Sequence, residues 1–543
     1  MISNLLSHFP EGYTPNKQQV KLLKNIDQAF EDGYKFVVCN APTGSGKSFV
    51  SKTVGNISKN CSKDFRDLIT SYLAYKHTHS GGFVHSDECD DEESFGCTAL
   101  TITKSLQDQY KDLFSDIETL KGKSNYQCAI DDNFSVDVAP CLHLPGLKND
   151  CWSKNICPYY EQRNKALVSQ FNTLNYNMFF SLPTHLKKRQ FIICDEASEL
   201  EDQLVKEFTC KIEYSFLKKC DITIRPFIST RSHELWISNL LVEVNDAIAD
   251  VKDDLQTQQN SRPQIQIALK SKLMQLGNLQ RKLELIIETW HDSEYVHEKD
   301  LHGVTFMPLK VDNLSQRLFD RGDKIILMSA TIIDPDNFCK SLGIKDFKYV
   351  EAESSFDPKQ APIVCNSKYK LNYYTMKSNL PKILKQIQTI CDHHKDDKGI
   401  IHTHNNNITG ELAKVLHGDR FLVRSPGVRN EEILDNHYKS TSPTVLISPS
   451  MTHGVDLKDD LARFQIIVKA PFLPTKDVRI GRLMKDDFNW YQNKMLCSLI
   501  QSCGRGIRSK KDHCVTYILD GTIVDNIVKN KHKLPKYFLN RFL

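Results

Sequence analysis

KFVVCN (Lys35–Asn40) is a short apolar run that passes directly into APTGSGKS (Ala41–Ser48), and a helix-compatible segment follows. A strand that ends in a glycine-rich turn and reopens as a helix is a unit of parallel α/β folds. This stretch therefore commits the N-terminal part of the chain to a sheet with helices on its faces. Gly44 and Gly46 let backbone amides approach a polyphosphate, Lys47 can reach its β and γ oxygens, and the Ser48 hydroxyl suits Mg²⁺. Ala41, Pro42, Thr43 and Ser45 complete the cradle. A glycine-rich loop with no ligand is the plain alternative, and the strand context with the GKS ending weighs against it.

At 543 residues the chain exceeds one compact core, because single cores stop growing at ~250 to 300 residues. Its 40% hydrophobic and 25% charged content is that of an ordinary globular protein. A net charge of +4, from 71 Lys and Arg against 67 Asp and Glu, permits a nucleic-acid partner only through local basic tracks. Seventeen cysteines are too dilute for a secreted disulfide scaffold, and MISNLLSHFPEGYTPNK lacks a basic segment followed by a long apolar run. No stretch reaches the ~18 apolar residues of a membrane span. These features predict a reducing, cytoplasmic location (host cytoplasm for a viral chain) and no membrane partner.

RQFIICDEAS (Arg189–Ser198) is a second buried-strand pattern, ending in Asp195 and Glu196. In phosphate-loop ATPases the first such carboxylate holds Mg²⁺ and the second polarises the attacking water. The bland alternative is a solvated acidic strand end. DKIILMSATI (Asp323–Ile332) follows, with hydroxyls at Ser329 and Thr331 placed to couple a nucleotide site to a second ligand. Further apolar runs, GIIHTH, TVLIS, FQIIVKA and CVTYILD, alternate with helical stretches and predict a second parallel α/β lobe. Within it, QSCGRGIRS puts Gln501, Arg505 and Arg508 four and then three residues apart, one face of a helix. Two guanidiniums there would face a γ-phosphate across a cleft; a basic surface helix is the alternative.

Cys128, Cys141, Cys151 and Cys157 have 12, 9 and 5 residues between them. Zinc ribbons prefer cysteine pairs two to four residues apart, so zinc fits poorly, whereas four loosely spaced thiolates can hold a [4Fe-4S] cluster; structural zinc and unligated core cysteines remain as alternatives. Cys89 and Cys97 are nearby competitors, and the acidic run around Cys89 reads as an exposed loop. Residues Asn60 to Gly96 carry no recognisable chemistry. Leu235–Leu255 and Ile265–Trp290 repeat apolar positions at three-to-four spacing around the turn-like QQNSRP, predicting two long antiparallel helices.

The order of these motifs resembles superfamily-two helicases, in particular the iron-sulfur branch that includes XPD and DinG, over nearly the whole chain. The AxxGxGK[ST] form of the loop agrees. Gln19 matches the family's adenine-reading glutamine, with Asn16 where an arginine is usual. TITKSLQDQY resembles motif Ia; GKSNYQC and CPYY resemble the segments around the first and fourth cluster ligands; LNYNMFF follows where the family has its Asn-Tyr strand. HGVDLKDD, then KAPFLP, resembles motif V and its sequel, and puts Gly454 and Asp456 at the nucleotide. The departures are Ser198 as fourth residue of the Asp-Glu-Ala-His box and Thr452 and His453 for a common Trp-Glu.

The resemblance implies an α/β chain of two RecA-like motor lobes with an inserted Fe-S domain and a helical arch. Lobe 1 takes residues 1–121, 166–212 and 299–338, the cluster insertion 122–165, the arch 213–298 and lobe 2 residues 339–543. It implies ATP and Mg²⁺ held by Lys47, Ser48 and Asp195, water activated by Glu196, Gln501, Arg505 and Arg508 completing the site, and a [4Fe-4S] cluster on the four cysteines. The implied activity is ATP-driven 5′ to 3′ translocation by a monomer on single-stranded DNA, with unwinding of tailed or forked duplex at the Fe-S wedge. Lys121, Lys123, Lys148 and Lys154, with Tyr126, Trp152, Tyr159 and Tyr160, would supply cations and stacking faces to that wedge. A non-unwinding ATPase switch that recruits a protein partner through the arch is the alternative; a nuclease finds no second carboxylate and lysine constellation.

Overall fold

The computed structural model describes residues 4–42, 44–63, 94–142, 151, 156–183, 188–223, 227, 233–258, 263–354, 356–365, 368–423, 430–449, 457, 459–506 and 512–543. Ten strands precede the second lobe: β1 (Phe36–Asn40), β2 (Cys97–Thr101), β3 (Glu118–Leu120), β4 (Phe171–Asn175), β5 (Arg189–Asp195), β6 (Cys210–Glu213), β7 (Tyr295–Lys299), β8 (Gly303–Pro308), β9 (Gly322–Ser329) and β10 (Lys348–Glu351). Seven of them form one sheet in the order β10-β1-β9-β5-β2-β4-β3, every pairing in it parallel; β10, from the 339–543 span expected to be lobe 2, joins lobe 1 because it pairs with β1. Its central strands are buried on both faces, as continuous apolar runs require. Val37, Cys39, Ile193 and Ile326 pack into one cluster with Leu22, Leu23 and Ile26 of helix Lys17–Glu31. Their neighbours Val38, Ile192, Cys194, Ile325 and Leu327 pack on the other face with Leu200 and Leu204.

Topology, more than sequence proximity, assembles the site. Because β1, β9 and β5 are adjacent and parallel, their C-terminal ends lie side by side, with Asn40 opposite Ser329 and Asp195 opposite Met328. The phosphate loop, SAT and DEAS thereby leave one edge of one sheet. The amide of Ala41 donates to the Ser329 carbonyl at 2.8 Å, tying the first of these to the second.

The second lobe supplies β11 (Ile363–Cys365), β12 (Gly399–His402), β13 (Phe421–Val423), β14 (Val445–Ser448), β15 (Phe464–Ile467) and β16 (Val515–Ile518). They form an all-parallel sheet in the order β11-β16-β15-β12-β14-β13. The two parallel lobes expected from the sequence are both present.

Two helices, His233–Thr257 and Pro263–Thr289, form the expected hairpin, joined through Ile237, Leu240, Val244, Leu276, Leu283 and Ile286. The hairpin stands on a three-stranded antiparallel sheet, β6-β8-β7, whose Phe306 enters the same core. This small sheet was not foreseen: its strands are four to six residues long and flank the helices from both sides in sequence. Among the described residues no helix is long and apolar enough to cross a membrane.

Candidate nucleotide site and inter-lobe seam

The turn after β1 needs glycine where it has it. Gly44 and Gly46 take φ of 78° and 81°, a region that side chains disfavour, and a Cβ on Gly46 would overlap the Gln19 side chain. Gly46 caps helix Lys47–Ile57, so the loop delivers its last amides at a helix N-terminus, where anions are favoured. Gln19 sits against this loop, its Nε2 3.4 Å from the Gly46 carbonyl. Its Oε1 accepts from the Asn16 amide while Asn16 Oδ1 accepts from the Gln19 amide, so Asn16, the departure at that position, closes a capping box.

Lys47 Nζ lies 2.7 Å from Glu196 Oε1. Glu196, directly after β5, stands in the left-handed region (φ 52°), and its amide donates to Asp195 Oδ1 at 3.0 Å. Burial pushes the Asp195 carboxyl up from its ordinary range, Lys47 opposes this, and Glu196 adds to it. Tyr110, at the end of TITKSLQDQY, is buried, with its hydroxyl 2.9 Å from Ser51 Oγ and 3.3 Å from Asp195 Oδ2. It joins the loop helix to the acidic strand, a role its sequence position did not signal.

Ser198 accounts for its own departure. Its Oγ lies 2.9 Å from Ser329 Oγ and accepts from Thr331 Oγ1 at 3.1 Å, so it bonds both hydroxyls of SAT. Ser329 Oγ also donates to Glu196 Oε2 at 3.4 Å. From the second lobe, Gln501 Nε2 donates to Ser198 Oγ (3.3 Å), Thr331 Oγ1 (3.3 Å) and Glu199 Oε1 (3.4 Å). One polar chain thus runs from Lys47 through Glu196, Ser329 and Ser198 to Gln501, across the seam.

The single helical face expected for Gln501, Arg505 and Arg508 is corrected. Helix Phe488–Cys503 ends two residues after Gln501, with Gly504 as its cap, and Arg505 follows in a turn between two glycines, which resist continuing a helix. Arg505 lies beside His402, at the end of β12, and its charge adds to burial and His404 in holding the His402 ring neutral. Arg508, Thr43, Gly454 and Asp456 lie outside the described residues, as do Thr452, His453, Lys148, Trp152, Lys154, Cys89 and most of the 60–96 segment.

A buried ionic cluster closes the seam beside this chain. Glu201, on the helix that follows DEAS, accepts from Arg479 Nη2 at 2.7 Å and Trp490 Nε1 at 2.9 Å, both from the second lobe. Lys494 Nζ is 3.1 Å from both Glu201 and Asp202. Burial alone would raise the Glu201 carboxyl; Lys494 and then Arg479 outweigh it and hold the group down at about 2. Arg479 Nε also donates to the Pro308 carbonyl at the end of β8, at 3.0 Å.

The four cysteines come together from separate turns. Cys128 and Cys151 are buried, Cys141 and Cys157 half-buried, and Cys157 stands at the N-terminal cap of helix Pro158–Val168. Burial first, then the charges of Cys157, Cys141 and Cys128, push the Cys151 thiol up to about 12. The Ile130 amide donates to Cys128 Sγ at 3.4 Å, the type of bond that tunes thiolate ligands. Among the described residues no three Cys, His, Asp or Glu side chains stand at metal-binding geometry. The four thiols are near enough for their charges to act on one another, and four thiolates are the donor set of an iron-sulfur cluster. Of the expected wedge residues, Lys121 pairs with Asp108, and Tyr159 is buried against Tyr126 and Tyr160 with Lys123 5.5 Å over its ring. Tyr159 therefore packs the insertion and is no surface stacking face.

Residues 383–540 match the helicase C-terminal domain family. The ATP-dependent DNA helicase CHL1 of Kluyveromyces lactis is 20% identical over 482 residues, covering 72% of this chain and 59% of the relative, so the chain spans about three fifths of that relative's length. Among solved structures, an XPD helicase superimposes with a TM-score of 0.61 at 16% identity, covering 96% of this chain and 98% of that one. Xpd4 of S. tokodaii does so at 0.50 and 15%, covering 96% and 99%. The fold is a two-lobed α/β architecture with RecA-like lobes. In fold, the chain is similar to the XPD helicases.

Proposed function

We propose that this chain is an ATP-hydrolysing motor that moves 5′ to 3′ along single-stranded DNA and separates a tailed or forked duplex. The observation that carries the reading is the polar chain from Lys47 to Gln501, because it links the phosphate loop to the other lobe through the residues that would handle water and γ-phosphate. Lys47 holds the phosphates, the Ser48 hydroxyl and Asp195 would hold Mg²⁺, which would supply charge neutralisation there, and Glu196 orients water. Gln501 reads the state of the site through Ser198, and Arg505, Arg508, Gly454 and Asp456 complete it from lobe 2. Residues 122–165 act as the cluster insertion and 213–298 as the arch. DNA as the track is supported by the K. lactis relative, named a DNA helicase. The test is strand release from a 5′-tailed duplex with ATP; stimulated hydrolysis without release sinks unwinding, and release only from a 3′-tailed duplex sinks the polarity.

Ser198→Ala removes one hydroxyl that meets three partners, each hydrogen bond contributing about 0.5–1.5 kcal/mol. Basal hydrolysis should fall little, while stimulation by single strands drops severalfold; equal stimulation in variant and parent argues against the relay.

Cys128, Cys141, Cys151 and Cys157 would hold a [4Fe-4S] cluster, whose contribution is to cross-link an insertion too small to fold on its own. Cys141→Ser should remove the visible iron-sulfur absorption and lower iron content on anaerobic purification, costing unwinding more than hydrolysis. Unchanged iron would exclude this ligand.

A further inference from the structure

Tyr373 and Tyr374 are 92% and 90% exposed, adjacent, and edge to face with ring centroids 5.5 Å apart. Large aromatic rings this open to solvent are uncommon on a folded surface and point to a ligand. The loop that carries them is tightly built. Asn372 Oδ1 accepts from the amides of Tyr374 and Thr375, at 3.0 Å each. Thr375 Oγ1 and Asn379 Nδ2 both donate to the Lys370 carbonyl, at 2.7 and 2.9 Å. Leu371 at the loop's root is buried in the lobe-2 core. A fixed backbone that turns two rings outward has already met the ordering cost of presenting them.

The charge around the rings is one-sided. Between Asp357 and Asp392 there are six lysines, at 359, 368, 370, 377, 382 and 385, and no Asp or Glu. Lys370 pairs with Asp525 of the neighbouring helix, and Lys368 and Lys382 lie over the Tyr369 ring, which leaves Lys377 and Lys385 exposed on the helix that the loop opens.

The loop follows β11 and so lies at the C-terminal edge of the lobe-2 sheet, the edge at which parallel sheets bind ligands. It is also tied to the seam. Buried Asp520, at the end of β16, accepts from the Leu371 amide and from the Ala470 amide of KAPFLP, both at 3.0 Å. Ala470 packs in one cluster with Ile333, which follows SAT in lobe 1. Asp520 thus joins the tyrosine loop to the seam through two bonds.

We propose that Tyr373 and Tyr374 form a stacking platform for successive bases of a single strand, with Lys377 and Lys385 meeting its backbone phosphates. Exposed rings accept any base face, and the acid-free lysine run complements a polyanion; this combination is that of sequence-tolerant single-strand binding. The proposal rests on the motor reading for its ligand and adds a contact on lobe 2 that the nucleotide site does not supply.

The test is anisotropy of a labelled oligothymidylate titrated with the full chain, alongside ATP turnover without DNA. Tyr373→Ala/Tyr374→Ala should weaken binding by about tenfold or more and leave DNA-free turnover and thermal midpoint unchanged. Tyr373→Phe/Tyr374→Phe should restore parent affinity, since stacking needs the ring and not the hydroxyl. An alanine pair that binds as tightly as the parent overturns the platform and leaves the motor reading intact. A parent chain that does not bind the oligonucleotide overturns both.

Discussion

Lys47→Ala protein is expected to fold and to lose ATP turnover by about 100- to 1,000-fold, the usual cost of removing one donor aimed at charge that develops in a transition state. The lysine leaves the mouth of the loop, where its ammonium lies 2.7 Å from Glu196. The backbone there does not depend on it: Gly44 and Gly46 set the turn, and the helix behind is held by Val50 and Val54 in the core. Lys47→Arg should not rescue, because a planar guanidinium is wider than the ammonium the turn admits. Phosphate release with and without single strands, beside a thermal melt, separates lost chemistry from lost fold. Turnover retained at parental level would remove Lys47 from the phosphate site.

Glu201→Ala should be the most destabilising change at the seam, by about 3–5 kcal/mol, because it leaves Arg479 buried without its carboxylate and Lys494 with Asp202 alone. Glu201→Gln keeps the shape and a carbonyl for Trp490 but not the charge, so it should fall between alanine and parent. The pH dependence has a definite sign. The Glu201 carboxyl is held near 2 in the folded chain against an ordinary 4.5, so its contribution is complete above about 4.5 and disappears as pH falls toward 2. The stability gap between parent and Glu201→Gln should accordingly be widest near neutrality and shrink through that acid window. Melting curves at pH 7 and pH 3.5 check this; a gap that grows on acidification would contradict the ion-pair account.

The parts of this architecture legible in the chain were those with local causes. KFVVCN and RQFIICD are continuous apolar runs because their strands are covered on both faces, and the arch helices carry their own periodicity. What escaped depends on distance along the chain. Glu201 meets Arg479 and Trp490 across 278 and 289 residues, and no periodicity records such a pairing. The strands under the arch are short and flank it from both sides, so neither end reads as a sheet alone. Spacing put Arg505 on a helix that Gly504 and Gly506 end. Ser198 reads in the sequence only as a departure from the Asp-Glu-Ala-His box, because only the folded chain shows which hydroxyls surround it.

A histidine at position 198 would change charge between about pH 5 and 8, so any signal it carried would drift with acidity. The hydroxyl found there keeps the same charge throughout that range while still reaching both SAT hydroxyls and Gln501. The link at position 198 is therefore built from hydroxyl and amide groups that keep their charge through that range, and its strength there is set by geometry.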